Sequence, residues 1–160
     1  KPNYKENLLG KDKRGYYALD QQMKDENHEK LKRRMQGFRQ NQGDLVNRTN
    51  GNRKERQRPK AQWQLNQPHM DLVKEMIQKA EAKNIQLIFV MVPAHLGNAV
   101  RNCLPVFNNI PAKNRIDLSD PDRYPKLYDP ANYFDGAHLD SKGAQIFSKV
   151  LAEEFLKIAN

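Results

Sequence analysis

Near the end of the chain, the stretch Asn132-Tyr-Phe-Asp-Gly-Ala-His-Leu-Asp-Ser-Lys-Gly143 sets a carboxylate, Asp135, three positions before an imidazole, His138. Such a pair can activate a nucleophile. The carboxylate accepts a hydrogen bond from one ring nitrogen and so fixes tautomer and orientation, and the other nitrogen is left to take a proton from a serine hydroxyl. Gly136 suits a tight turn between the two, and Gly143 suits close packing of the following helix on a neighbouring backbone. Tyr133 and Phe134 are expected beneath the turn, with Tyr133 a candidate wall of a substrate pocket. Two further residues could touch a substrate: His95, directly after an apolar run, and Arg101, which suits an anionic group or else a solvated helix face. No metal constellation is expected, because His28, His69, His95 and His138 lack the short spacings of a ligand pair. Nothing points to a cofactor. The lone Cys103 excludes an internal disulfide and reads as a small core residue.

The elements that must position these residues become regular from Pro68 onward. Leu72, Val73, Met76, Ile77 and Ala80 lie on one helical stripe, with Lys74, Glu75, Gln78, Lys79 and Glu81 opposite, and Pro68 suits the first turn. Residues 85–92, apolar except for Gln86 and ended by Pro93, predict a strand buried on both faces, as in a parallel sheet with helices on each side. A helix over 98–108, a short strand over 115–118 and a last helix from Asp140 or Ser141 follow. The last presents Phe147, Val150, Leu151, Phe155 and Ile158 inward. Helix, strand, helix, strand, helix predicts an α/β fold with a doubly wound, flavodoxin-like parallel sheet. Ligands in that architecture sit outside the carboxyl ends of the strands, at residues 93–97, after Leu118, and at the Asp135 block.

The block Tyr133-Phe-Asp-Gly-Ala-His-Leu-Asp-Ser-Lys-Gly-Ala144, running into an amphipathic helix, resembles the last sequence block of the SGNH (GDSL-like) hydrolase superfamily. The resemblance covers about 68–160, and only this block is specific; Asp140 stands where the family commonly has Asn. It implies that Asp135 and His138 belong to a Ser-His-Asp triad of a serine esterase or O-acyltransferase. The similarity extends to SGNH-like proteins of bacterial cell-envelope modification, which implies an acylated carbohydrate or envelope polymer as substrate and an exported or periplasmic location. The family's nucleophile lies in a Gly-Asp-Ser motif after the first strand. Here Ser119, Ser141 and Ser148 are the only serines, and none follows Gly-Asp. The chain also starts at Lys1 without Met or a leader. It is therefore expected to be the C-terminal part of a longer protein, its sheet incomplete at the N-terminus and its nucleophile upstream.

One domain is expected over 1–160, and the charge divides it unevenly. Residues 28–62 hold eleven Lys or Arg against Glu29, Asp44 and Glu55, a local net of +8 out of +9 for the chain. This basic segment reads as an insertion, helical over about 19–40 and loop over 41–59. A run of this kind can bind an anionic polymer or be plain solvated surface. A nucleic-acid partner is not favoured, because no recognised motif accompanies the charge. The alternative to an enzyme is a non-catalytic SGNH-like module that binds an anionic polymer or a protein through this segment. No stretch approaches the roughly 20 apolar residues that span a bilayer.

Overall fold

The computed structural model describes residues 29–95 and 97–159. The helical reading of 19–40 therefore falls partly outside the described residues, as does His28. In chain order the helices are α1 (Glu29–Gln40), α2 (Gly43–Arg56), α3 (Gln67–Glu81), α4 (Gly97–Asn108) and α5 (Ser141–Leu156). The strands are β1 (Phe89–Met91) and β2 (Arg115–Asp117), which pair in parallel with Val90 opposite Ile116. The chain is a mixed α/β protein, mostly helical, around a small two-stranded parallel sheet.

Local chemistry accounts for the helix ends. Asn66 caps α3, its side chain accepting from the His69 N–H at 3.1 Å, with Pro68 in the first turn where a missing N–H costs nothing. After α3, Asn84 takes a left-handed conformation (φ 56°), which Asn tolerates better than most residues, and the Ile85 N–H returns to the Ala80 carbonyl. Asp140 caps α5 by accepting from the Gly143 N–H at 2.7 Å. Gly143 lies so close to the Asn132 carbonyl oxygen that a Cβ would overlap it. That contact locks α5 to the segment leading into the Asp135 block.

The two faces of the sheet bury different sets. Leu87, Phe89 and Met91 pack with Val73 and Ile77 of α3 and with Phe107 and Ile110 at the end of α4. Ile88 and Ile116 pack instead with Leu118, Leu127, Tyr128 and the α5 residues Ile146, Phe147, Val150 and Leu151. Each such side chain, when fully buried, stabilises by about 1.5–3 kcal/mol. Three expectations need correction. The strand is shorter than 85–92, because a ladder reaches only as far as its partner and among the described residues β1 has a neighbour on one side alone. It is not buried on both faces: Val90 is 38% and Val92 55% exposed, since α5 sits over β2 and leaves the outer half of the sheet open. The α3 stripe is also rotated, with Met70 and Ile77 buried and Leu72 and Met76 exposed.

The basic segment differs most from its reading. Residues 43–56 are helix rather than loop, and α2 buries Leu45, Thr49 and Asn52, spaced four and three apart on one face. α2 packs on α4, and a Cβ on Gly97 would stand 3.2 Å from the Gly51 carbonyl oxygen. Asn52 joins this helix to the ends of both strands. Its Nδ2 donates to the Ala94 carbonyl after β1 at 2.6 Å, to the Ser119 carbonyl after β2 at 3.0 Å, and to the Tyr128 hydroxyl at 3.3 Å.

Candidate active site

The Asp135 block is a tight loop whose ends are tied together. Tyr133 and Leu139 form an antiparallel bridge, the Phe134 N–H donates to the His138 carbonyl at 2.8 Å, and the Asp140 N–H donates to the Asn132 carbonyl at 3.1 Å. Phe134 is buried beneath the loop, as its sequence position predicts. Gly136 is covered by the Arg48 guanidinium, which a Cβ would meet at 2.7 Å.

Within this loop the Asp135 carboxylate, 5% exposed, is surrounded by donors. Its Oδ1 accepts from the Ala137 N–H at 2.8 Å, the His138 N–H at 2.9 Å and His138 Nδ1 at 2.8 Å, and its Oδ2 is ion-paired with Arg34, 2.7 Å from Nε. Burial pushes the carboxyl up, but the bonds from the His138 ring and the two backbone N–H groups outweigh it and hold the group below the usual carboxylate range. An ionised acceptor at Nδ1 requires Nδ1 to carry the ring proton, so in the neutral ring Nε2 is the basic nitrogen. Arg34 Nη2 lies 3.4 Å from Nδ1. Both atoms carry hydrogens in this tautomer, so that approach is proximity and not a hydrogen bond.

The His138 side chain is 51% exposed and lines a cleft of about 530 Å³ with Arg34, Val92, Pro93, Tyr133, Ala137, Leu139 and Phe147. Among the described residues, Nε2 meets no hydrogen-bond partner. Among the described residues the cleft thus has apolar walls, one oriented imidazole and one guanidinium. None of the chain's serines, its single threonine or its cysteine lines it. Ser119 is fully buried, its hydroxyl donating to Asp117 Oδ1 at 2.7 Å beneath Arg56. Thr49 is buried on α2, and Cys103 lies elsewhere, exposed on α4 rather than in the core as expected.

Of the three candidate substrate residues, His95 and Tyr133 are in contact and Arg101 lies apart from both. His95 is not exposed at the mouth of the site: it is 8% exposed, with Nε2 2.6 Å from the Tyr133 hydroxyl and Nδ1 3.1 Å from the Thr49 hydroxyl. Its ring meets Tyr128 and Tyr133 edge-on at 5.1 and 4.8 Å. Burial, with the nearby charge of Arg48, pushes its pKa down to about 4, so the ring is neutral and both nitrogens are occupied. Tyr133 does border the His138 cleft, but its hydroxyl is engaged, donating to the Leu127 carbonyl at 2.7 Å, and burial pushes its pKa up. Arg101 is a bidentate partner of Glu55, at 2.7 and 3.1 Å, and lines a different groove with Arg58, Gln62, Asn66 and His69.

Sequence reasoning missed Arg34, Asn52 and Arg56. Arg34 is 104 positions from His138, and nothing local distinguishes it from the other cations of the basic run. Three arginines of that run hold acids of the ordered half: Arg34 with Asp135, Arg53 with Asp122 at 2.7 Å, and Arg56 with Asp117 at 3.0 Å. Part of the local +8 is therefore compensated inside the molecule. Among the described residues no group of three or more His, Cys, Asp or Glu could hold a metal, and no helix is long and apolar enough to cross a membrane. Compared with protein-family models, curated proteins and solved structures, the chain matches none.

Proposed function

We propose that this chain supplies the acid and base of an SGNH-like serine esterase or O-acyltransferase, acting on an acylated carbohydrate or cell-envelope polymer. Asp135 orients His138, and Nε2 of His138 takes the proton of a serine hydroxyl as its oxygen attacks the ester carbonyl. The imidazolium, stabilised by the Asp135 carboxylate, then returns that proton to the leaving alkoxide as the tetrahedral intermediate collapses. Water repeats the sequence in hydrolysis, and a sugar hydroxyl does so in transfer. The observation that carries this reading is the Asp135–His138 contact at 2.8 Å with the far side of the ring open to a cleft.

The serine comes from outside this chain, since no Ser, Thr or Cys side chain of the chain borders the cleft. The same reading takes the two strands as the latter part of a doubly wound, flavodoxin-like sheet with helices on both faces. Its support is the side of β1 that no described residue pairs with, where Val90 and Val92 are exposed and an apolar groove of about 410 Å³ runs past Val73, Ala99 and Val106. An exported or periplasmic location goes with this reading and rests on the family resemblance.

The test is turnover of an aryl acetate. This chain alone is expected to give none. A polypeptide that joins it to its upstream segment is expected to give turnover that disappears in His138→Ala with the fold intact. No turnover in the joined polypeptide would favour the non-catalytic, partner-binding module instead.

A further inference from the structure

The guanidinium of Arg34 uses only part of its donor set. Its Nε lies 2.7 Å from Asp135 Oδ2 in an ion pair, and no acceptor among the described residues lies on its Nη groups. The side chain is half-exposed and lines the same cleft as His138, where it is the one permanently charged group among the described residues. The remaining walls, Val92, Pro93, Ala137, Leu139 and Phe147, are apolar, and the Tyr133 hydroxyl is already committed to the Leu127 carbonyl and to His95. A cation ion-paired with a buried carboxylate, with its outer N–H groups open to an apolar cleft, is arranged to take an anion. The planar fork matches the two oxygens of a carboxylate or phosphate, and the apolar walls strengthen the contact by excluding water.

We propose that Arg34 is a specificity-determining residue of the His138 cleft, binding a carboxylate or phosphate group of the substrate beside the reacting ester. Its position decides which part of the substrate it reads. Nη2 approaches Nδ1, the Asp135 side of the ring, whereas the proton transfer takes place at Nε2 on the other side. The anion therefore belongs to a neighbouring position of the substrate and is not the oxyanion of the reacting carbonyl. The substrate class becomes an ester carried on an anionic chain, either a uronate-type or a phosphate-bearing polymer.

This inference rests on the His138 cleft being the substrate site, yet it can be tested without turnover because anion binding needs no nucleophile. The experiment follows the imidazole and guanidinium signals of His138 and Arg34 by NMR in this chain, while inorganic phosphate, glucuronate or neutral methyl glucoside is added. Saturable shifts with the two anions and none with the glucoside are expected. Affinity should fall roughly tenfold or more in Arg34→Gln, recover in part in Arg34→Lys, and stay unchanged in Lys54→Ala, which removes an exposed cation elsewhere. Tighter binding of phosphate would indicate a phosphate-bearing chain, and tighter binding of glucuronate a uronate. Equal shifts with the glucoside, unaltered binding in Arg34→Gln, or no saturable shift with either anion would overturn the proposal. If the anions bind as expected but the joined polypeptide never hydrolyses an ester, the esterase reading fails and the anion site stands.

Discussion

Replacing Asn52 by Asp keeps the size of the side chain and reverses its hydrogen bonding. In the native protein, Nδ2 faces the Ala94 carbonyl at 2.6 Å, the Ser119 carbonyl at 3.0 Å and the Tyr128 hydroxyl at 3.3 Å, and the residue is fully buried. In the variant a carboxylate oxygen faces the two carbonyl oxygens. Tyr128 can turn its proton toward the new group and recover one bond, but both carbonyl contacts become repulsive. An uncompensated buried charge of this kind costs about 3–5 kcal/mol. For a domain of this length that corresponds to a fall in melting temperature of roughly 6–20 °C. Protonation relieves the cost, because a neutral acid can donate to the Ala94 carbonyl. The carboxyl's folded pKa thus lies above its unfolded value near 3.9, and the penalty is absent below that value and grows as pH rises toward neutrality. Thermal unfolding followed by circular dichroism at pH 5 and 7.5, variant against wild type, measures this directly. A loss of less than 2 °C at pH 7.5, or a larger loss at pH 5, would refute the bridging role of Asn52 between α2 and the strand ends.

The neutral, buried His95 makes the protein sensitive to acid. Its folded pKa of about 4 lies below the unfolded value near 6.5, so between those limits only the unfolded chain binds the proton and stability falls with falling pH, by about 3 kcal/mol in all. His95→Gln should flatten the pH dependence of the urea midpoint over that range, and an unchanged slope would exclude this origin. Gly143→Ala forces a methyl group onto the Asn132 carbonyl and should cost about 1–3 kcal/mol or more in denaturant unfolding. It should also shift the His138 ring signals, because the displaced segment carries the Asp135 loop.

What was legible in the sequence was local. Pro68 and the Asp140 cap mark the starts of α3 and α5, and Gly143 signals a close approach; each follows from the chemistry of a few adjacent residues. The Asp135–His138 contact was legible for the same reason, since one short loop sets it. Residues 43–56 were misread because two of the three side chains that bury α2, Thr49 and Asn52, are polar and leave no apolar period, and Gly43 and Gly51 read as punctuation. The partners of Arg34, Asn52 and Arg56 lie 42 or more positions away, a relation with no signature in a single sequence. His95 was placed correctly after β1, but the helix that walls it in was the one read as loop. Cys103 and Leu72 failed through the direction they face on their helices, which depends on what packs against them.

The central claim is that Asp135 and His138 activate a serine supplied from outside this chain. A fluorophosphonate label, which bonds to a serine hydroxyl only where a base makes it nucleophilic, tests it most directly in the polypeptide that joins this chain to its upstream segment. One serine adduct is predicted, located by mass spectrometry outside residues 1–160, absent in His138→Ala and strongly slowed in Asp135→Asn. Labelling that persists undiminished in His138→Ala, or that falls on Ser119, Ser141 or Ser148, would contradict it.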